Sequence, residues 1–470
     1  MRANGIDTRV KKILARTAWT LVVLATLIAL FYAEEDWRGA RAWNAVLQQM
    51  RVAGEPMTLR ELIPPGSPKA DLSNTRMFAD ENPEISKIRL PGVLGDAPKL
   101  AALAPLREID LKAWQQYFRS LPDNHLPAQP GTPAADVLAA LSPLNPLFAR
   151  LENVLAIPDG YLPIDYDKGF GTPLVSSVAE INVAKVLQLR GLALLQMGHG
   201  EQAKDDFLFR FRMEKPMRRR MFLLDLLVSE ANQSTMLPVL WEGMHGHVWT
   251  NADLRQMEAA LNEHDYLSDF QSALRVERLG AFQVVAILST QAGISKPQDI
   301  DPGMRLFAQA FRIWPRGWID QDWAGIGRMA ARAICGIHPK AGTMDRNVFP
   351  VHKPDWLQAH TKIFTSELAP TIYAGAAKTA QAETYRRLAC VACELERYYL
   401  VHHAYPNQLG DLKGLPPHLD QEVLSTALFH YQNMGLTFRL YSIGWDGKDD
   451  GGRYDAAAPT SGDWPWPAQN

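Results

Sequence analysis

Hydrophobic positions along the chain change pattern several times, and each pattern predicts a different structure. Residues 17–33, TAWTLVVLATLIALFYA, contain no charged side chain. As a helix, such a run covers roughly 26 Å at about 1.5 Å per residue, close to the thickness of a bilayer's hydrocarbon layer. Trp19 and Tyr32 stand near its two ends, where amphipathic rings favour the headgroup region. Through residues 37–55 the pattern becomes amphipathic. Trp37, Ala40, Trp43, Val46, Leu47 and Met50 recur at spacings of three and four, which predicts a helix leaving the membrane. Between Pro56 and Pro173 periodicity is lost, and this quarter of the chain holds 17 of its 32 prolines. Short helices and extended pieces are expected there, not a regular sheet.

From about 175 to 340 helical runs follow one another. Only Pro216 and Pro238 interrupt between 174 and 296. NADLRQMEAAL places Leu254, Met257 and Leu261 on one face behind Asn251 as N-cap, and SDFQSALRVERLGAFQVVAIL begins at Ser268 as a second cap. VLQLRGLALLQMGHGEQAKDDF resembles one tetratricopeptide hairpin. Gly191 and Leu194 fall on its first helix, Gly198 and Gly200 in the turn, and Ala203 and Phe207 on the second helix. No second copy follows at that family's spacing, so a single helical hairpin is expected rather than an array. Residues 341–380 predict an irregular piece and then a helix near Leu368–Ala380. A new helix is expected through Tyr385, Leu388, Ala392, Leu395 and Tyr399, a narrow apolar seam that His403-Ala404-Tyr405-Pro406 ends. ALFHYQNMGLTFRLYSIG reads as strands with a turn at Asn433-Met434-Gly435.

The chain has 470 residues, 47% of them hydrophobic and 21% charged, enough for two or three domains with real cores. A net charge of −2 offers no basic stripe, so no nucleic-acid partner is expected. The charge is unevenly placed. Arg2, Arg9, Lys11, Lys12 and Arg16 precede the apolar run with only Asp7 against them, and Glu34, Glu35 and Asp36 follow it at once. Basic before and acidic after predicts an N-terminus inside and everything downstream outside. Phe31-Tyr32-Ala33 puts a bulky ring where signal cleavage prefers a small residue, so an uncleaved anchor is expected. The expected layout is a cytoplasmic tail (1–16), a transmembrane helix in the lipid bilayer (17–33), a Pro-rich irregular and helical region (34–174), a helical body (175–380) and a C-terminal module (381–470). This corresponds to a single-pass protein of a bacterial inner membrane with a periplasmic ectodomain.

Candidate chemistry concentrates in LYSIGWDGKDDGGRYD, residues 440–455. Asp446, Asp449, Asp450 and Asp455, with Asp463 beyond, are hard oxygen donors, and Gly444, Gly447, Gly451 and Gly452 let the backbone turn its carbonyls inward. Calcium takes six or more oxygens at about 2.3–2.6 Å from such groups. The loop lacks the glutamate at position twelve of an EF-hand. A solvated acidic turn is the competing reading, since Asp and Gly are common in turns anyway.

The order of a helix, Tyr405-Pro406, a small sheet, Tyr441-Ser442-Ile443-Gly444-Trp445-Asp446-Gly447 and Gly462-Asp463-Trp464 resembles the globular part of the major pseudopilins of type II secretion, over residues 380–466. That resemblance implies a pilin-like α+β module with a calcium-binding loop. Asp446 and Asp455 would be side-chain ligands and Asp463 the next, with the Leu440 or Ile443 carbonyls contributing. The pilin leader is absent, and the apolar run lies about 350 residues before the pilin-like helix, so a polymerising pilus subunit is not expected. The whole layout resembles large single-pass envelope proteins of planctomycete-type bacteria, a likeness that implies no activity. The fold class expected is therefore mainly α: an N-terminal transmembrane helix, an all-α helical-hairpin ectodomain and a small C-terminal pilin-like module with antiparallel strands.

Other constellations are weaker. Cys335, Cys390 and Cys393 are too few for a disulfide scaffold, and Cys390-Val-Ala-Cys393 lies mid-helix, away from a helix N-terminus that would activate a thiol. A bridge to Cys335 and simple packed thiols both stay open. His245-Gly-His247 and His402-His403 lack a third ligand beside them. GIGRMAAR at 325–332 has no phosphate-loop lysine, and Ser176-Ser177 and Ser289-Thr290 have no nucleophile-elbow context. In IWPRGWIDQDW, Trp314, Trp318 and Trp323 surround Asp320 and Asp322, which reads either as a packing corner or as a glycan cleft with paired carboxylates. The function expected is non-enzymatic: a membrane-anchored binding or scaffold protein with a protein partner in the envelope, accessory to envelope assembly or secretion. The rival is an envelope enzyme acting on a glycan through Trp314–Trp323.

Overall fold

The computed structural model describes residues 3–62, 71–72, 97–122, 125–162, 177–218, 221–290, 314–349 and 363–467. Arg2, Ser176 and much of the Pro-rich region lie outside these residues, as do the side chains of Asp7, Arg9, Ser289 and Thr290. The described elements are mainly helical. In order they are α1 (Ala3–Val52), α2 (Leu111–Ser120), α3 (Pro133–Leu141), α4 (Asn145–Leu155), α5 (Ser177–Gln196), α6 (Gly200–Arg218), α7 (Leu223–His245), α8 (Asn251–Asn262), α9 (Tyr266–Thr290) and α10 (Arg316–Cys335). A two-stranded hairpin β1 (Ile337–His338) and β2 (Thr343–Met344) follows, then α11 (Ile363–His402), β3 (His430–Asn433), β4 (Phe438–Ser442) and β5 (Trp464–Trp466). The chain divides into two compact units. One comprises Met1–Glu61, Arg278–Arg332 and Val351–Thr371; the other comprises Leu62–Glu277, Ala333–Pro350 and Ile372–Asn470.

In the first unit, α1 joins the two helices expected at 17–33 and 37–55 into one of 50 residues. It is long and apolar enough to cross a membrane, and none of its most apolar stretch is buried by protein. Past the apolar run it packs. Val46 and Met50 are buried, and Trp43 meets Phe282 edge-on at 4.8 Å and tilts against Trp323 at 5.1 Å. Trp37 and Ala40, expected on the buried stripe, are instead exposed, with the Arg41 guanidinium 5.5 Å over the Trp37 ring. The reason is a close approach of α1 and α10 at Gly39 and Gly317. A Cβ at either position would be driven into backbone atoms of the other helix, so the contact face centres on glycine and turns Trp37 outward.

The second unit holds the helical hairpin. Met197-Gly198-His199 closes α5, with Gly198 at φ +77° and the His199 N–H donating to the Leu194 carbonyl at 2.8 Å. Such a left-handed turn suits glycine because it lacks Cβ. Ala203 and Phe207 are fully buried, and Gly191 lies against Val239 of α7. Helix starts fall near the expected places, with different caps. Thr250, not Asn251, caps α8, its hydroxyl accepting from the Asp253 N–H at 3.2 Å while the Asp253 carboxylate takes the Thr250 N–H at 3.0 Å. At α9 the Asp265 carboxylate accepts from the Ser268 N–H at 3.0 Å, which puts Ser268 inside the helix.

The helix expected near Leu368–Ala380 and the one through Tyr385–Tyr399 are a single 40-residue α11 that carries Pro370 inside it. The boundary expected at 380/381 falls mid-helix. Its centre is not a narrow seam either: nearly every residue from Ala382 to Glu396 is buried, Arg386, Arg387 and Thr384 included. A helix enclosed on all sides buries polar residues only when they are paired inside the protein. The last part is a three-stranded antiparallel sheet in the order β3-β4-β5, with Gly435 at φ +90° in the β3–β4 turn. Leu440 pairs with Tyr431 on one side and Trp466 on the other.

Candidate functional site

The aspartate loop leaves the end of β4 and returns into β5. Glu422, buried, holds its entrance: its carboxylate accepts from the Ser442 hydroxyl at 2.5 Å and the Ile443 N–H at 3.0 Å. Arg346 donates to the Trp445 carbonyl at 2.6 Å. Gly444, Gly447, Gly451 and Gly452 all have positive φ between 66° and 81°, so the loop's path depends on residues without a Cβ.

The five aspartates are not equivalent. Asp463 is fully buried, and its Oδ2 accepts from the Asp450 N–H at 2.9 Å and the Gly452 N–H at 2.7 Å. Its Oδ1 is buried with no hydrogen-bond partner. Burial raises its pKa, only partly offset by those two N–H groups, and the Asp449 and Asp450 charges raise it further. The others point elsewhere. Asp446 accepts from the Lys448 N–H at 3.0 Å, and Asp455 from the Ala457 and Ala458 N–H groups at 2.8 and 3.2 Å. Asp449 accepts from the Gly451 N–H at 2.9 Å and the Tyr441 hydroxyl at 3.1 Å, with His430 at 3.5 Å. Asp450 is exposed. A short carboxylate that reaches the N–H two residues on is satisfied inside its own turn. Among the described residues, no three His, Cys, Asp or Glu side chains come together in the way a metal ion needs. Asp463 fits a cation by its unpaired buried oxygen; further donors would have to be loop carbonyls. Glu422 and Arg346 carry no sequence signal, because each meets the loop from a distant segment.

The turn that follows α11 and the C-terminal sheet are tied together locally. The Tyr405 and Pro406 carbonyls accept from the Asn433 amide at 2.8 and 3.2 Å, and the Tyr431 hydroxyl donates to the Pro406 carbonyl at 2.7 Å. Trp464 and Trp466 are buried, and the Trp241 indole of α7 donates to the Pro467 carbonyl at 3.3 Å.

The remaining candidates separate. All three cysteines are free; Cys390 and Cys393 are fully buried, and burial pushes the Cys390 thiol up to about 12, the opposite of an activated thiolate. His245 stacks on Trp241 at 5.3 Å. His247 lies at φ +49°, with Nδ1 2.7 Å from the buried Glu396 carboxylate and its ring on Tyr399 at 4.6 Å. Glu396 also accepts from the Tyr405 hydroxyl at 3.2 Å, a junction of the turn after α7, α11 and the Tyr-Pro turn that the sequence did not announce. Asp322 is committed to the start of α11, accepting from the Phe364 and Thr365 N–H groups at 2.9 Å each. Asp320 is buried, and burial raises its pKa.

No protein-family model matches the chain, and neither a curated protein nor a solved structure does.

Proposed function

We propose that the chain is a single-pass protein of a bacterial inner membrane, with its N-terminus inside and its body in the periplasm. It would work non-enzymatically, as a binding or scaffold protein with an envelope partner, accessory to envelope assembly or secretion. One observation carries this reading. None of the most apolar stretch of α1 is buried by protein, while the same helix further on is packed into a folded unit. An uncovered apolar helix of this length needs a lipid solvent, and the basic-before, acidic-after charges support the orientation. The chain is expected to resist carbonate extraction, and protease added to spheroplasts should leave only a short N-terminal fragment. Deleting residues 17–33 should release the body in soluble form. Extraction of the full chain by carbonate would remove the anchor from this reading.

The resemblance of residues 380–466 to pseudopilins supports a pilin-like module in which calcium sits in the aspartate loop. Asp463 would be the inner carboxylate, with loop carbonyls as the further donors. The buried, unpaired Asp463 Oδ1 supports this assignment. Calcium at a hundredfold excess over its Kd would stabilise by about 2.7 kcal/mol. The thermal midpoint is therefore expected to rise with calcium against chelator in the parent, and not in Asp463→Asn. An unchanged parent midpoint would make the loop a turn closed by its own backbone. The glycan reading gains no supporting observation: Asp322 caps a helix and Trp323 packs on Trp43.

A further inference from the structure

Two elements of the first unit meet where the apolar run of α1 ends. Phe31 lies two residues before Ala33, about 3 Å along the helix axis. Its ring contacts Trp318 of α10 edge-on at 6.1 Å, and Trp318 contacts Trp314 at 5.6 Å. Both indoles are half-buried, so each keeps an outward surface. Trp37, about 6 Å beyond Ala33 along the helix, is 58% exposed under the Arg41 guanidinium. Arg316, the first residue of α10, is exposed.

This junction is hydrogen-bonded. The Trp318 indole N–H and the Gln321 amide both donate to Glu35 Oε2, at 3.1 and 2.8 Å, and the Gly317 N–H donates to Asp36 Oδ1 at 2.7 Å. Below it the two helices approach each other glycine to glycine. Where the end of the apolar run stands in a bilayer, Trp318 stands one ring contact from it and Trp314 two.

We propose that the start of α10 and the residues just before it, with Trp314, Arg316 and Trp318, form a second membrane-contacting element. It lies in the headgroup layer of the bilayer that α1 crosses. The inference rests on the membrane reading of α1, and lipid is the occupant because the patch is continuous with the bare apolar run. Its chemistry also suits a headgroup layer: amphipathic indoles settle there, and guanidinium groups such as those of Arg316 and Arg41 pair with lipid phosphate. The consequence is a chain held at the surface by two elements instead of swinging on one tether.

The test uses the full chain with Cys335→Ser, since the other two cysteines are fully buried. Nitroxide labels are placed singly at Leu24→Cys, Trp314→Cys, Arg316→Cys and Leu436→Cys, the last on a hairpin tip that is 84% exposed. The protein is reconstituted in 3:1 phosphatidylcholine and phosphatidylglycerol vesicles, and collisions with oxygen and with a water-soluble nickel chelate are compared. The label at 24 should favour oxygen, and those at 314 and 316 should see the chelate about threefold less than the label at 436, as interfacial groups do. Arg316 is exposed, so its label reads position even if replacing Trp314 loosens the aromatic pair. Labels at 314 and 316 as open to the chelate as 436, with 24 embedded, would overturn this inference alone. A label at 24 open to the chelate would overturn the membrane reading and this inference with it.

Discussion

Replacing Glu383 by alanine is expected to destabilise the helical body by about 3–5 kcal/mol, the usual cost of stranding buried charge by removing its partner. The Glu383 carboxylate is bound by two neighbouring buried arginines of α11. Arg386 grips it with two N–H groups at 2.7 and 2.8 Å, and Arg387 adds a third at 2.8 Å. The rest of Arg387 reaches the Gly342, His418 and Gln421 carbonyls at 2.6–3.1 Å, so the cluster also ties two distant connections to the helix. Burial alone would raise the carboxyl's pKa, but the Arg386 and then the Arg387 guanidinium more than offset it and hold it down at about 2, against an ordinary 4.5. The direction of the pH effect follows. A folded pKa below the unfolded one contributes stability that is present above about 4.5 and is lost as pH falls through 2. Urea unfolding at pH 7 should show the full loss in Glu383→Ala and an intermediate one in Glu383→Gln, and the parent should lose this part of its advantage toward pH 2. A Glu383→Ala midpoint within experimental error of the parent would show that the arginines find other partners.

The second large effect has the opposite sign. Glu230 of α7 is buried, accepts the Thr379 hydroxyl at 2.6 Å on one oxygen, and has no hydrogen-bond partner on the other. Burial pushes its pKa up to about 8, against 4.5, with the Thr379 hydrogen bond and Lys378 opposing only in part. A raised folded pKa means stability that is fully present below about 4.5 and is lost as pH rises through 8. The parent should therefore be less stable at pH 8 than at pH 5, by an amount on the order of 4 kcal/mol from this group. Glu230→Gln keeps the Thr379 acceptor and cannot ionise, although its amide leaves donors unpaired at a cost of about 1 kcal/mol. The variant should be slightly weaker than the parent at pH 5 and clearly stronger at pH 8. Parallel pH profiles for parent and variant would mean that Glu230 is not the group responsible.

Local pattern was sufficient where near neighbours decide the outcome. The bare run at 17–33, the hairpin turn at Gly198, the starts of α8 and α9 and the strands around Gly435 were all legible, to within a residue or two. Each depends on side-chain periodicity or on the conformational freedom of one residue. The caps were misread by a short step because Asn251 and Ser268 are as good cap residues as Thr250 and Asp265; only the backbone's entry angle chooses between them. The join inside α11 was misread because the narrow apolar seam begins only at Tyr385, which looks like the start of a new helix. A helix enclosed by protein need not keep one register.

By itself, then, the sequence determined a mainly helical chain with one helix apolar and long enough for a membrane, and a small antiparallel sheet before a glycine-rich acidic loop. Those properties are carried by composition and by spacings of two, three and four residues. Only the tertiary structure decided that Gly39 and not Trp37 meets α10, that Asp463 alone of five aspartates turns inward, and that Glu383, Glu230 and Glu396 are buried. These outcomes rest on partners far away in the chain: Glu230 and Thr379 are 149 residues apart, as are His247 and Glu396. A carboxylate's role is set by the dielectric and the donors around it. Those exist only once the distant segments have met.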